Sequence, residues 1–179
     1  MILLFLACAP VDDTPCPPGF VVDIFDGACV FDEDSVVDVV VNMDSSGLVR
    51  VNAEPFVQVM GPAFERNVWV SPVPSREEPG ADALALYLAI DPEDPDGELW
   101  ADFPVGTLLV HETVNREEGH TVQVKRDDWL DENGRGWWFG KYYDDGTKDE
   151  NACTPCVACH NGDTRPGTEG LWGVPHHAR

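Results

Sequence analysis

Three residues near the C-terminal end of the chain have the types and spacing of a covalent haem site. The run Cys156-Val-Ala-Cys159-His160 has the Cys-x-x-Cys-His pattern to which c-type haem is attached. Two thiols within one turn of backbone can reach the two vinyl groups of one porphyrin, and the adjacent histidine then lies beneath the iron. The pattern therefore predicts one covalently attached haem c, held by Cys156 and Cys159, with His160 as the proximal iron ligand.

A third cysteine ahead of this run leaves other cofactors open. Cys153, Cys156 and Cys159 have the spacing of the first three ligands of a bacterial iron–sulfur run, but Asp163 stands where the fourth cysteine would be. The same thiols with His160 could hold zinc, although structural zinc sites usually divide their ligands between two separated pairs. A disulfide between Cys153 and Cys156 is a further alternative, and the haem interpretation assigns Cys153 no role.

The first eight residues resemble the end of a bacterial lipoprotein signal. Residues 1–7 are an apolar run that is far too short to span a bilayer, and Cys8 follows it. In such signals the cysteine carries the lipid and becomes the mature N-terminus. We interpret residues 1–8 as a signal and anchor segment with lipidation at Cys8. The expected location is the periplasm or cell envelope, with the lipid in the outer membrane of a bacterium.

The next segment, residues 9–33, is rich in Pro, Asp and Gly and is predicted to be a tether. Cys16 and Cys29 bracket a loop within it. A bridge between them would close a loop for which chain entropy predicts about 3 kcal/mol of stabilisation. Such a disulfide suits an oxidising compartment. Residues 34–179 then have room for one domain of ordinary size.

The chain is strongly acidic, with a formal net charge of −22 over 179 residues. This charge excludes nucleic-acid binding by neutralisation of phosphates. It favours solubility or docking to a basic redox partner.

Strand signals dominate the domain, because short β-branched or aromatic runs alternate with clusters of Gly, Pro and Asp. The predicted strands are 36–43, 48–52, 67–73, 83–90, 107–114, 121–126 and 137–143. The first two flank a four-residue turn and are predicted to form a hairpin. Short helices are expected only in 54–66 and around the haem motif. The predicted fold class is mainly β, an antiparallel sheet domain with a few short helices and one c-type haem packed on it.

Alternation along two of these strands gives a first view of the pocket. In 107–114, His111 and Glu112 fall on opposite faces of the strand. Trp137 and Phe139 alternate with Trp138 just ahead of the haem motif. We expect Trp137 and Phe139 to pack on the porphyrin, although a sheet core would use the same rings.

The order and spacing of several segments resemble the cytochrome P-460 family over about residues 55–165. The matching segments are 67–71 (NVWVS), 91–92 (DP), 106–112 (GTLLVHE), 122–126 (VQVKR), 136–139 (GWWF) and 156–160 (CVACH). The resemblance implies a mostly antiparallel β fold, a homodimer, a single c-type haem and an exported bacterial protein. Relatives include hydroxylamine-oxidising enzymes and similar cytochromes that bind nitric oxide without oxidising hydroxylamine.

The chain departs from the hydroxylamine-oxidising members at one decisive position. Those members carry a lysine, cross-linked to the porphyrin, where this chain has His111. Their distal carboxylate and arginine align near Thr121 and Leu86, which supply neither group. Lys125 is a substitute for the cross-linking lysine only if the strand register is shifted. The resemblance therefore implies the haem more strongly than it implies hydroxylamine oxidation.

Several roles are open for His111. Its imidazole could act as a distal acid–base group, ligate the iron as the sixth ligand, become cross-linked to the porphyrin, or lie outside the pocket. The remaining histidines, His120, His176 and His177, look like loop or tail residues and receive no role.

Three functional hypotheses follow. The first is an exported mono-haem cytochrome of the P-460 type that transfers electrons to a partner protein or binds nitric oxide or hydroxylamine. The second is a hydroxylamine-oxidising or peroxidase-like enzyme in which His111 is the catalytic distal group, supported by Glu112. The third is an iron–sulfur or zinc protein that uses Cys153, Cys156 and Cys159.

Overall fold

The computed structural model describes residues 15–57, 64–74, 82–90, 103–128 and 136–150, together with Ala178. The strands within these ranges are β1 (Phe20–Val22), β2 (Cys29–Phe31), β3 (Val49–Arg50), β4 (Phe56–Val57), β5 (Glu65–Val70), β6 (Leu108–Thr113), β7 (His120–Lys125) and β8 (Trp137–Tyr142). The helices are α1 (Glu33–Val41) and α2 (Ala83–Ala89), with 3₁₀ turns at Met43–Ser45 and Arg116–Glu118. The fold is mainly β, as the sequence predicts.

All strand pairs in the described ranges are antiparallel, and they form two sheets. The larger sheet has the order β3-β5-β6-β7-β8, with β4 also pairing with β5, while β1 and β2 form a separate hairpin. The four long strands β5 to β8 correspond to the predicted strands 67–73, 107–114, 121–126 and 137–143, which are confirmed. Every residue of the central strand β6 is buried, so the sheet is covered on both faces.

The two faces of the large sheet carry separate apolar clusters. One, called the His111 face here, includes Val68, Leu109 and Phe139, and α2 packs on it through Tyr87. The other, called the α1 face, carries a second apolar set that packs against the valines of α1. Its strand residues are Leu108, Val110, Val122, Val124, Trp138 and Tyr142. The strict alternation of a β-strand separates the two sets.

The prediction of a strand over 36–43 is wrong, because these residues belong to α1. Asp32 caps the helix by accepting a hydrogen bond from the backbone N–H of Ser35 at 2.8 Å. Val36, Val39 and Val40 recur at helical spacing and are buried against the sheet. Capping and one-sided burial outweigh the strand preference of the valines, and the predicted hairpin with 48–52 is absent for the same reason.

The prediction of a strand over 83–90 is also wrong, because Ala83–Ala89 is helical. The side chain of Asp82 caps this helix through the N–H of Ala85 at 2.7 Å. The Ala- and Leu-rich sequence has high helix propensity, and Ala83 and Tyr87 share the buried side. No helix in the described part of the chain is long and apolar enough to cross a membrane.

The expected helix over 54–66 is likewise not found where the structure describes that range. Phe56–Val57 and Glu65–Val70 are strands that pair with each other, and residues 58–63 lie outside the described residues. Cross-strand pairing at the sheet edge determines the conformation of these residues.

The described part of the predicted tether folds onto the domain. Cys16 and Cys29 form the predicted disulfide, with their Cα atoms 5.5 Å apart, and the bridge closes the β1–β2 hairpin. Phe31 packs against Trp138 with ring centroids 5.0 Å apart, and Phe20 belongs to the same cluster. The hairpin is therefore part of the α1-face core, while residues 9–14 lie outside the described residues.

Replacing Cys16 and Cys29 together by serine is expected to lower the free energy of unfolding by about 3 kcal/mol. The disulfide joins residues 13 positions apart, and opening that loop returns chain entropy to the unfolded state. Urea unfolding of the oxidised protein and of the double variant measures the difference. An unchanged midpoint would show that the hairpin is held by packing alone.

Glu33 links the start of α1 to strand β8 and the turn after it. Its Oε1 accepts hydrogen bonds from the hydroxyl of Tyr142 and from Lys148 Nζ, each at 2.7 Å. Burial acts to raise the pKa of the Glu33 carboxyl, but the hydrogen bonds and positive charge of Lys148 and the Tyr142 hydroxyl outweigh it. The pKa is therefore lowered below its usual value.

This lowered pKa predicts a modest loss of stability in acid. Since the folded protein holds the Glu33 proton less tightly than the unfolded chain, the contribution is present above the unfolded pKa. It disappears as the pH falls through the folded value. The Glu33→Gln variant should be less stable than the native protein at neutral pH, by under about 1 kcal/mol because the pair is partly exposed. Urea titrations at several pH values should show this gap closing below about pH 4. The exposed Glu117→Gln change is the control and should open no such gap.

Candidate functional site

His111 lies in the middle of the large sheet rather than at its edge. It occupies the central strand β6, pairs in register with Val68 on β5 and Thr121 on β7, and is 5% exposed. Its side chain belongs to the face that carries Val68 and Leu109. A buried, ionisable imidazole on an apolar sheet surface is therefore the first polar group of the candidate site.

Gln123 is the second polar group, and its role was not predicted from the sequence. It lies on β7 opposite Leu109, is 1% exposed, and its Nε2 is 3.5 Å from His111 Nε2. Alternation along the strand places Gln123 on the opposite face of β7 from Val122 and Val124. The β6–β7 register, which decides that it meets His111, is a property of the sheet that no residue pattern revealed.

The aromatic side chains divide between the two faces as the alternation predicts. Phe139 pairs with Gln123 and Trp137 with Lys125, so both rings lie on the His111 face. Trp138 belongs to the α1 face and packs in that core. The rings expected beside a porphyrin are therefore on the same face as His111.

Lys125 adds a buried positive charge at one end of this surface. Its Nζ lies 5.7 Å from the centroid of the Trp137 ring, a cation–π distance, and the residue is 9% exposed. Phe103 packs edge-to-face on the same tryptophan, with the ring centroids 5.8 Å apart. The His111 face thus combines apolar and aromatic side chains with the polar groups of His111, Gln123 and Lys125.

Glu112 does not join His111, although the two are adjacent in sequence. It lies on the other face, where its Oε2 accepts hydrogen bonds from Asn67 Nδ2 at 3.0 Å and Trp69 Nε1 at 2.8 Å. Asn67 in turn accepts a hydrogen bond from Asn52 Nδ2 at 3.0 Å. Alternation separates the two side chains, and the carboxylate belongs to a network that ties β5 and β6 together.

His120, expected in a loop, is instead the fully buried first residue of β7. Its Nδ1 accepts a hydrogen bond from the backbone N–H of Thr113 at 3.2 Å, so the ring proton lies on Nε2. That nitrogen is 2.5 Å from Asp144 Oδ1, and this contact links the turn after β8 to the β6–β7 connection. The residue has a structural task on a different part of the sheet from His111.

The cysteines and histidine of the haem motif lie outside the described residues. The same is true of Cys8 and Cys153, and of His176 and His177 near the C-terminal end. Ala178 is described, and it is buried in the apolar cluster of the His111 face. Its carbonyl accepts a hydrogen bond from the backbone N–H of Ala53 at 2.8 Å. Ala178 therefore lies on the face that carries His111.

No group of three or more His, Cys, Asp or Glu side chains that could hold a metal ion occurs within the described ranges. No protein-family model, curated protein or solved structure matches the chain. What the chain does must therefore be inferred from its own residues.

Proposed function

We propose that this chain is an exported c-type cytochrome of the P-460 type, carrying one covalently attached haem. It binds a small nitrogen-oxide molecule such as nitric oxide or hydroxylamine, or it passes electrons to a redox partner. The observation that carries the proposal is the Cys156-x-x-Cys159-His160 run, whose residue types and spacing serve haem attachment. Cys156 and Cys159 would hold the haem through thioether bonds, and His160 would ligate its iron.

The His111 face supports this proposal because its chemistry suits a porphyrin. A porphyrin is a flat, largely apolar disc, and the buried side chains of Leu109, Trp137 and Phe139 have the apolar and aromatic character that would pack on it. Trp137, Phe139 and Ala178 share one buried cluster on this face. His111 would then supply the acid–base group near the haem.

The haem, when bound, supplies iron that can take a sixth ligand or change its oxidation state. The protein residues supply the surroundings that choose between these uses. His111 holds or moves a proton near the ligand, and the apolar side chains around it exclude water. Glu112 has no part in this, since its carboxylate lies on the opposite face.

Export and partners belong to the same proposal. The Cys16–Cys29 disulfide suits an oxidising compartment, in agreement with a lipid-anchored protein of the bacterial periplasm or cell envelope. The net charge of −22 suits a basic redox partner and disfavours nucleic acid. A homodimer is the assembly that the P-460 resemblance implies.

A second candidate is a hydroxylamine-oxidising or peroxidase-like enzyme on the same haem. The observation in its favour is that His111 is a buried acid–base group with a polar neighbour, Gln123, on the face that suits the porphyrin. The two candidates differ in whether the porphyrin is cross-linked to the protein beyond its two thioether bonds.

The absorption spectrum of the ferrous protein, produced in a host with c-type haem maturation, tests the proposal. A spectrum with ordinary c-type bands is expected and would exclude an additional cross-link. A strongly red-shifted and broadened Soret band would indicate a cross-linked porphyrin and favour the enzyme. A protein without haem bands would refute the proposal.

A further inference from the structure

Gln123 and His111 meet in the middle of the His111 face. Gln123 pairs in register with Leu109 and His111 with Thr121, so the two side chains are diagonal neighbours on adjacent strands. The Nε2 atoms of the two side chains are 3.5 Å apart. Because the nitrogen of a carboxamide donates and does not accept, a hydrogen bond at this contact requires the imidazole Nε2 to accept and the ring proton to lie on Nδ1.

The other end of the same carboxamide has a different environment. Gln123 Oε1 is buried, and no hydrogen-bond donor reaches it from the part of the chain that the structure describes. More than nine in ten buried polar groups in proteins are paired, and an unpaired buried acceptor lowers stability. Leucine would fill this position on an apolar face without that cost. The glutamine is therefore unfavourable unless a bound molecule donates a hydrogen bond to it.

We propose that Gln123 positions His111, and that the two side chains together form a site for a small uncharged ligand that carries an N–H or O–H group. Gln123 Nε2 holds the imidazole in its Nδ1–H form, and Gln123 Oε1 accepts the hydrogen of the ligand. His111 Nε2 is engaged by Gln123 and does not ligate iron. The identity of the cofactor beside this pair rests on the proposed function, whereas the pairing itself does not.

The tautomer of His111 can be measured without any cofactor. Nitrogen-15 NMR of the full chain labelled at histidine should show His111 protonated at Nδ1 and unprotonated at Nε2. In Gln123→Leu this preference should be lost. In Gln123→Glu it should reverse, because a carboxylate only accepts and needs the proton on Nε2. Glu112→Gln, adjacent in sequence but on the opposite face, is the control and should leave the His111 signals in place. A native protein with the proton on Nε2 would overturn the positioning role.

The ligand class is tested on the haem-loaded protein with two probes. Hydroxylamine carries N–H and O–H groups, and nitric oxide carries neither. Loss of one hydrogen bond in Gln123→Leu should weaken hydroxylamine binding about 3- to 10-fold and leave nitric oxide binding unchanged. Equal effects on both probes, or none on either, would overturn the proposed ligand site. A protein that binds no haem would refute the proposed function, while the NMR result would still decide the pairing.

The statement that His111 does not ligate iron has its own test. His111→Ala should leave the spin state of the ferric iron unchanged, as read from its absorption and electron paramagnetic resonance spectra. Conversion from low spin to high spin in this variant would show that the imidazole is a ligand and would overturn the proposal.

Discussion

Replacing Cys156 and Cys159 together by serine is expected to abolish covalent haem attachment. A serine hydroxyl does not form the thioether bond to a porphyrin vinyl group, so both covalent links are lost. The effect is all-or-none and is read by haem staining of a denaturing gel, on which only covalently bound haem stays with the protein. The native protein, produced in the same host with c-type haem maturation, should stain.

Cys153→Ser is the matched control, because it removes a neighbouring thiol that lies outside the haem motif. The variant should stain like the native protein. If Cys153→Ser instead lost its cofactor together with Cys156 and Cys159 variants, the three thiols would act as one ligand set. That result would favour the iron–sulfur or zinc alternative over haem.

Replacing Trp138 by alanine is expected to lower the free energy of unfolding by about 3–5 kcal/mol, the largest effect predicted for a single substitution in the described core. The indole lies on the α1 face and packs on Phe31 of the disulfide-closed hairpin. Its removal leaves a cavity between that hairpin and the large sheet. Urea unfolding followed by circular dichroism measures the loss as a lower midpoint.

Phe25→Ala is the control for deletion of an aromatic side chain, and it lies in the β1–β2 hairpin on which Trp138 packs. This ring is 92% exposed at the tip between β1 and β2, so its removal should change stability by no more than about 0.5 kcal/mol. Trp138→Ala should also keep its haem stain, because the indole is on the face opposite to His111. A Trp138 variant as stable as the native protein would contradict the assignment of this residue to a packed core.

The four long strands, β5 to β8, and the disulfide could be predicted because their signals are local. β5 to β8 are short β-branched or aromatic runs whose ends are marked by polar and glycine residues, and the Trp137–Trp138–Phe139 alternation held in the sheet. The Cys16–Cys29 bridge followed from two cysteines around a short loop.

The two helices could not be predicted from propensity because capping and burial decided them. The valines of α1 favour a strand, yet Asp32 caps the segment and the valines at helical spacing fill the α1 face. In α2 the strand prediction overlooked the strong helix preference of an Ala- and Leu-rich run after Asp82. Both errors arose from weighing apolar content above helix-start signals.

The candidate site was predicted only in part for a related reason. Trp137 and Phe139 were expected on one side of their strand, and His111 and Glu112 on opposite sides of theirs, because alternation within one strand is visible in sequence. That the two rings lie on the same face as His111 was not predicted, since it depends on the pairing of β6, β7 and β8. Gln123 was not recognised, because its meeting with His111 depends on the register between β6 and β7. A register shifted by two residues would place a different side chain beside the imidazole.

The intact mass of the purified, fully denatured protein tests the central claim most directly. The protein should be produced in a host with c-type haem maturation, and loosely bound cofactors should be removed by acid extraction before the measurement. The expected mass is that of the mature polypeptide, including any lipid on Cys8, plus one haem. The same mass without the haem would contradict the proposed function.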